Sequence, residues 1–167
     1  MLRLLSYRSA LQALAMLAAV PTLVAAQSPT PEEAAAREFA AARPGELTLE
    51  PRYARGLGPD SEFGAMRTAE ATERLAGVLG ADVRRYEEAI ACKPPRQGEF
   101  PFARCQVQGA KALIGLSPAE IDGDVATVYV TIRDNLGHGM SAGQFKVTVR
   151  RTSAGWVFEK MVLIAAT

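Results

Sequence analysis

Val125-Ala126-Thr127-Val128-Tyr129-Val130-Thr131-Ile132-Arg133 and, a short way on, Phe145-Lys146-Val147-Thr148-Val149-Arg150 decide the fold class. In both runs apolar residues alternate with polar or amphipathic ones. That is the period of a strand with one face buried and one face wet. Asp122-Gly123 ahead of the first run is a hairpin turn. It joins the Val125–Asp134 strand to an earlier strand placed between Ala112 and Ile121. Ser153-Ala154-Gly155 turns the chain once more before a last strand from Trp156 to Ile164. The expected product is an antiparallel meander of about four strands joined by short loops.

Upstream the period changes. Thr30-Pro31-Glu32-Glu33 is a helix start: Thr30 caps, Pro31 suits the first helical position and Glu33 reaches back in a capping box. The helix runs to Ala42 and stops at Pro44-Gly45. Its one large apolar residue is Phe39, so alanine propensity is expected to support it more than burial. Leu47-Thr48-Leu49 reads as a short strand before Pro51, and Gly56 to Gly64 as a loop. Thr68 caps a second helix ending at Gly80, with Ala71, Leu75, Val78 and Leu79 on one face. Val83 to Ala91 fits helical spacing through Val83, Tyr86 and Ile90 and strand spacing through Tyr86, Glu88 and Ile90; helix is the reading adopted. Helices first and a meander last predict an α+β domain, with the N-terminal helices packed on the apolar face of the C-terminal sheet.

The first 26 residues read as an address. Arg3 and Arg8 give a positive start, Ala13 to Val20 is an uninterrupted apolar run ended by Pro21, and Val24-Ala25-Ala26 offers a cleavage site. The run is short of the ~20 apolar residues that a helix needs to span a bilayer. No cysteine lies near the cut and the two arginines are not adjacent, which argues against a lipidated or twin-arginine signal. The expectation is a cleaved signal peptide and an extracytoplasmic product, periplasmic or secreted, that does not insert in the membrane. Residues 27–167 would then form a single domain, since removing 26 of 167 residues leaves 141. The segment carries two of the 19 Lys and Arg and none of the 18 Asp and Glu. The remainder holds 17 basic against 18 acidic residues, a balance that offers no general electrostatic reason to bind nucleic acid.

Cys92 and Cys105 are the only cysteines. An even pair in an oxidising compartment predicts a disulfide, here closing a proline-rich loop of about a dozen residues. Zinc is the alternative, but it takes four ligands and the chain has one distant histidine. No metal or cofactor is expected. The chain has no glycine-rich phosphate loop, no Gly-x-Ser-x-Gly and no His-Glu-x-x-His.

The order of elements, with Gly123-Asp124-Val125-Ala126-Thr127-Val128, Phe145 to Arg151 and Gly155-Trp156-Val157-Phe158, resembles the closing strands of the nuclear-transport-factor-2-like, or cystatin-like, superfold. The resemblance covers about Ala112 to Thr167 and implies helices lying against a strongly curved antiparallel sheet. Cys92, Cys105 and the segment from Leu47 to Gly64 have no counterpart in it. Gln106-Val107-Gln108-Gly109 lacks one residue of the cystatin inhibitory hairpin, and Trp156 follows Gly155 where those inhibitors carry proline, so protease inhibition is not the leading reading.

No catalytic residue is assigned. His138, the sole histidine, stands in a loop between Gly137 and Gly139. It reads as a turn residue, with Asp134 as the only nearby carboxylate able to orient it. His138 is expected to be dispensable, and Gly137 and Gly139 to matter more, because either can hold a positive φ that a side chain would strain. Trp156 and Phe158 read as core or edge packing, with pocket lining as the alternative. Arg84-Arg85 and Arg150-Arg151 read as solvated faces, with anion binding as the alternative. Two function classes remain: a non-catalytic module binding a small molecule or a partner protein, and a small lyase- or isomerase-like enzyme with an acid–base pair in an apolar pocket. The first is favoured.

Overall fold

The computed structural model describes residues 28–55, 63–99, 103–137 and 139–166. The N-terminal segment read as a signal, part of the cysteine loop and His138 lie outside the described residues. The chain is mixed α+β with a large, mostly antiparallel sheet. Its elements are α1 (Pro31–Ala42), β1 (Leu47–Leu49), α2 (Ala69–Leu79), β2 (Asp82–Val83), α3 (Tyr86–Ala89), β3 (Ile90–Cys92), β4 (Cys105–Val107), β5 (Ala112–Leu116), β6 (Glu120–Asp122), β7 (Val125–Leu136), β8 (Gly139–Thr152) and β9 (Gly155–Ala166).

The sheet is wider than a four-stranded meander. It has seven strands in the order β2-β1-β5-β7-β8-β9, with β6 also on β7. β5 and β6 follow one another along the same edge of β7. Ser117-Pro118 separates them, and Ser117 stays pinned because its N–H donates to Tyr129 O and its hydroxyl accepts from Tyr129 N. β1 joins β5 in parallel and brings β2 with it, also parallel. β3 and β4 form a separate antiparallel pair, with Cys92 opposite Cys105.

Alternation along the strands divides the buried residues between two faces. One face carries Leu47, Leu49, Ile114, Leu116, Val128, Val130, Ile132, Val147, Val149 and Trp156 against α1 and α2. The contribution of α1 differs from the expectation. Ala34, Ala35 and Ala36 are buried beside Phe39, so small side chains let the helix lie close to its neighbours and burial supports it as much as propensity does. Its Thr30–Glu33 capping box is formed, with both bonds at 3.2 Å. α2 is capped by Thr68 and ends at Gly80.

The segment from Val83 to Ala91 is not one helix. Val83 pairs with Leu49, Arg85 is extended, and only Tyr86–Ala89 makes a helical turn before β3. The reason is a tertiary capture: the Tyr86 N–H donates to the Glu50 carboxylate, which fixes where that turn begins. Together α3, β3 and β4 cover part of the opposite face, where Ala89, Val107 and Leu113 form a second, smaller core.

Glu50 is the centre of a buried charged network on that face. It is 0% exposed. Its carboxylate accepts from Arg52 Nε at 2.7 Å and Nη2 at 3.0 Å as well as from Tyr86 N–H. Arg52 reaches on to Glu87. Arg67, also buried, donates to the carbonyls of Glu50, Arg52 and Leu116 and lies over the Tyr53 ring. Arg133 is buried over Phe63 and Tyr86. Burial lowers the pKa of both Arg67 and Arg133, and the nearby tyrosine and Glu50 work against that shift. Gly115 of β5 makes room for this layer, since a Cβ there would stand 3.1 Å from the Phe63 ring.

The two glycines around His138 are not equivalent. β7 and β8 close at Leu136 opposite Gly139. Gly139 has φ +147°, and a Cβ on it would stand 2.6 Å from the Ala103 carbonyl oxygen. Gly137 has no positive φ, and a Cβ there would meet nothing. Of the two, Gly139 is the one that holds a positive φ. Gly139→Ala is expected to cost about 2 kcal/mol in chemical denaturation through strained backbone and a backbone clash. Gly137→Ala should stay within about 0.5 kcal/mol; equal losses in the two variants would refute this.

Among the described residues β9 is one edge of the sheet and β2 the other. Register against β8 shifts between Gln144 and Phe145 and between Thr148 and Val149. Phe158 and Lys160 face Val149 and Thr148, and Leu163 and Ala165 face Phe145 and Gln144. Glu159 and Ile164 are thus the extra residues of two bulges, which bend and twist a strand.

Candidate functional site

A cavity of about 360 Å3 opens between the C-terminal half of α1 and strands β7, β8 and β9. That is at the small end of the range for small-molecule sites. Phe39 comes from α1, Ile132 from β7, Phe145 from β8 and Met161 and Leu163 from β9. Phe39 and Phe145 meet edge to face, with ring centroids 5.5 Å apart and planes at 68°. Met161 is 42% and Leu163 55% exposed, so the β9 wall is apolar and open to solvent. Ser141 of β8, opposite Asp134 in register, stands at the polar end.

Asp134 lines this cavity, and its partner is Arg43. Arg43 follows the last residue of α1, where its N–H caps the Phe39 carbonyl at 3.0 Å. Its guanidinium grips both carboxylate oxygens of Asp134: Nη1 donates to Oδ1, and Nη2 donates to Oδ2 at 3.0 Å. Such bidentate pairs are the stronger, geometrically specific kind. The cation that orients Asp134 thus comes from 91 residues away in sequence, which no local spacing could reveal. The arrangement can hold an apolar body against the aromatic rings and offer charged groups at one end.

The other residues singled out in the sequence serve packing or surface roles. Trp156 is in the main core, with the Arg151 guanidinium over its ring. Phe158 packs against that core. Neither lines the cavity. Arg84 donates to Gln108 O and stands near Asp82, while Arg150 pairs with Glu159. Cys92 and Cys105 have their sulfurs 1.96 Å apart, at disulfide distance, on β3 and β4 away from the cavity. No cluster of three or more His, Cys, Asp or Glu side chains suited to a metal is found among the described residues. No helix among them is long and apolar enough to cross a membrane.

A second cavity, of about 340 Å3, lies between the N-terminal ends of α1 and α2. Most of its charged lining is committed to the fold: Glu33 holds Arg74 at 2.8 Å, Glu32 accepts from Ala119 N–H, and Arg67 holds three carbonyls. The cavity beside Phe39 is therefore the better ligand site.

No protein-family model, curated protein or solved structure matches the chain.

Proposed function

We propose that this chain is an exported, non-catalytic binding module that takes a small apolar molecule in the cavity between α1 and β7–β9. The observation that carries the reading is an apolar lining of Phe39, Phe145, Met161 and Leu163, open to solvent on the β9 side, beside a single ion pair. Apolar lining with a few polar groups at one end is what small-molecule sites use for affinity and orientation. The lyase-like alternative needs an acid–base pair; of the two carboxylates that line this cavity Asp134 is engaged by Arg43, and Glu38 has no histidine, lysine or second free acid beside it in the lining. Export rests on the N-terminal apolar segment and on the cysteine pair at disulfide distance. A nuclear-transport-factor-2-like arrangement, with its closing strands curved around the cavity, suits the bulges of β9 and the position of α1.

Native mass spectrometry of the protein exported by its own host tests this. The expected result is a mature mass beginning at Gln27 with a retained small-molecule adduct. Leu163→Trp, which fills the cavity from an exposed strand position, should lose the adduct. An adduct unaffected by that change, or no gain in melting temperature with any apolar probe, would overturn the proposal.

A further inference from the structure

Resting on the reading of this cavity as a ligand site, we infer that its ligand is an amphiphile with a cationic head, an organic ammonium on a short apolar chain. The apolar half follows from the rings and the β9 side chains. The sign of the head follows from three features of the polar end. Glu38 and Asp134 line it against Arg43 alone. Arg43 is spent on Asp134 through two hydrogen bonds, while Glu38 is in no ion pair among the described residues. One carboxylate is left uncompensated.

The helix end adds to it. A helix carries roughly half a negative charge at its C-terminus, on carbonyls that have no partner within the helix. Ala42, the last residue of α1, lines the cavity, and the last turn holds no basic residue. Pro44 stands where the N–H for the Ala40 carbonyl would come from, and proline has none. Among the described residues no donor reaches the carbonyls of Ala40, Ala41 or Ala42. An ammonium supplies three donors and one positive charge to a place that has acceptors and a negative balance. A carboxylate head would meet Glu38, Asp134 and the helix end, and would have to take Arg43 from its partner.

Octylamine, octanol and octanoate share one chain and differ in the head, so calorimetric titration of the mature protein with all three separates the two claims. The expected order at low salt is octylamine tightest, by at least about threefold over octanol, with octanoate weakest. Raising the salt should shrink the difference between amine and alcohol. Glu38→Gln, on the exposed side of α1, should remove the amine's advantage. Leu163→Trp should abolish binding of all three. Octanol or octanoate binding as tightly as the amine, with Leu163→Trp still abolishing it, overturns the cationic head and leaves the cavity reading standing. Failure of all three probes to bind overturns the cavity reading and this inference with it.

Discussion

Glu50→Gln is expected to cost the fold about 3–5 kcal/mol, the usual penalty for removing one member of a buried ion pair. The carboxylate is fully enclosed and accepts from Arg52 and from the Tyr86 N–H. The amide keeps the shape and loses the charge. It presents an N–H2 to donors that need an acceptor, and it leaves Arg67 and Arg133 buried with less negative charge near them. Urea denaturation reads the effect as a lower midpoint at constant slope. Replacing both partners, Glu50→Leu with Arg52→Met, should cost less than the sum of the single changes, because an apolar pair of similar volume leaves neither charge stranded. A loss below about 1 kcal/mol in Glu50→Gln would show that the network is not holding α3 and β1 together.

Removing the Cys92–Cys105 link is expected to cost about 3 kcal/mol. The two residues are 13 apart in sequence, and closing a loop of that size restricts the unfolded chain by roughly that much in the chain-entropy picture. The effect should be local first. β3 and β4 make a two-stranded sheet of three residues each, too small to persist alone. In a Cys92→Ala, Cys105→Ala variant, amide hydrogen exchange should rise across β3 and β4 while β7 and β8 remain protected. Unchanged protection of β4, or an unchanged denaturation midpoint, would contradict this.

The strands β7 and β8 were legible because each buries one face, and a buried face writes a period of two into the sequence. Thr30 and Thr68 were legible for a similarly local reason: a cap is decided by a few neighbouring residues. β1 and β2 were harder. Three and two residues are too few to show a period, and parallel pairing with β5 and β1 depends on partners far along the chain. The turn of α3 reads in the sequence as part of a longer helix because the group that fixes it, Glu50, lies 36 residues upstream. Glu50 itself looks like an ordinary charged residue before a proline. The cavity was the least legible part. Phe39, Ile132, Phe145 and Leu163 come from four elements, and each satisfied a core reading in its own segment. In the sequence Asp134 stands out only as the carboxylate near His138; its partner in the fold, Arg43, carries no signal beyond ending a helix.

The bulges at Glu159 and Ile164 have a bearing on solubility. β9 spans Gly155–Ala166, pairs on one side only among the described residues and exposes Val157, Met161, Val162, Leu163 and Ile164. A straight edge of that length and composition is a template on which further chains can add, strand upon strand. Each bulge breaks the even spacing of donors and acceptors that such growth requires. Glu159 and Lys160 also set opposite charges in the middle of the run. The same irregularity that bends the cavity wall thus keeps the edge from seeding fibres.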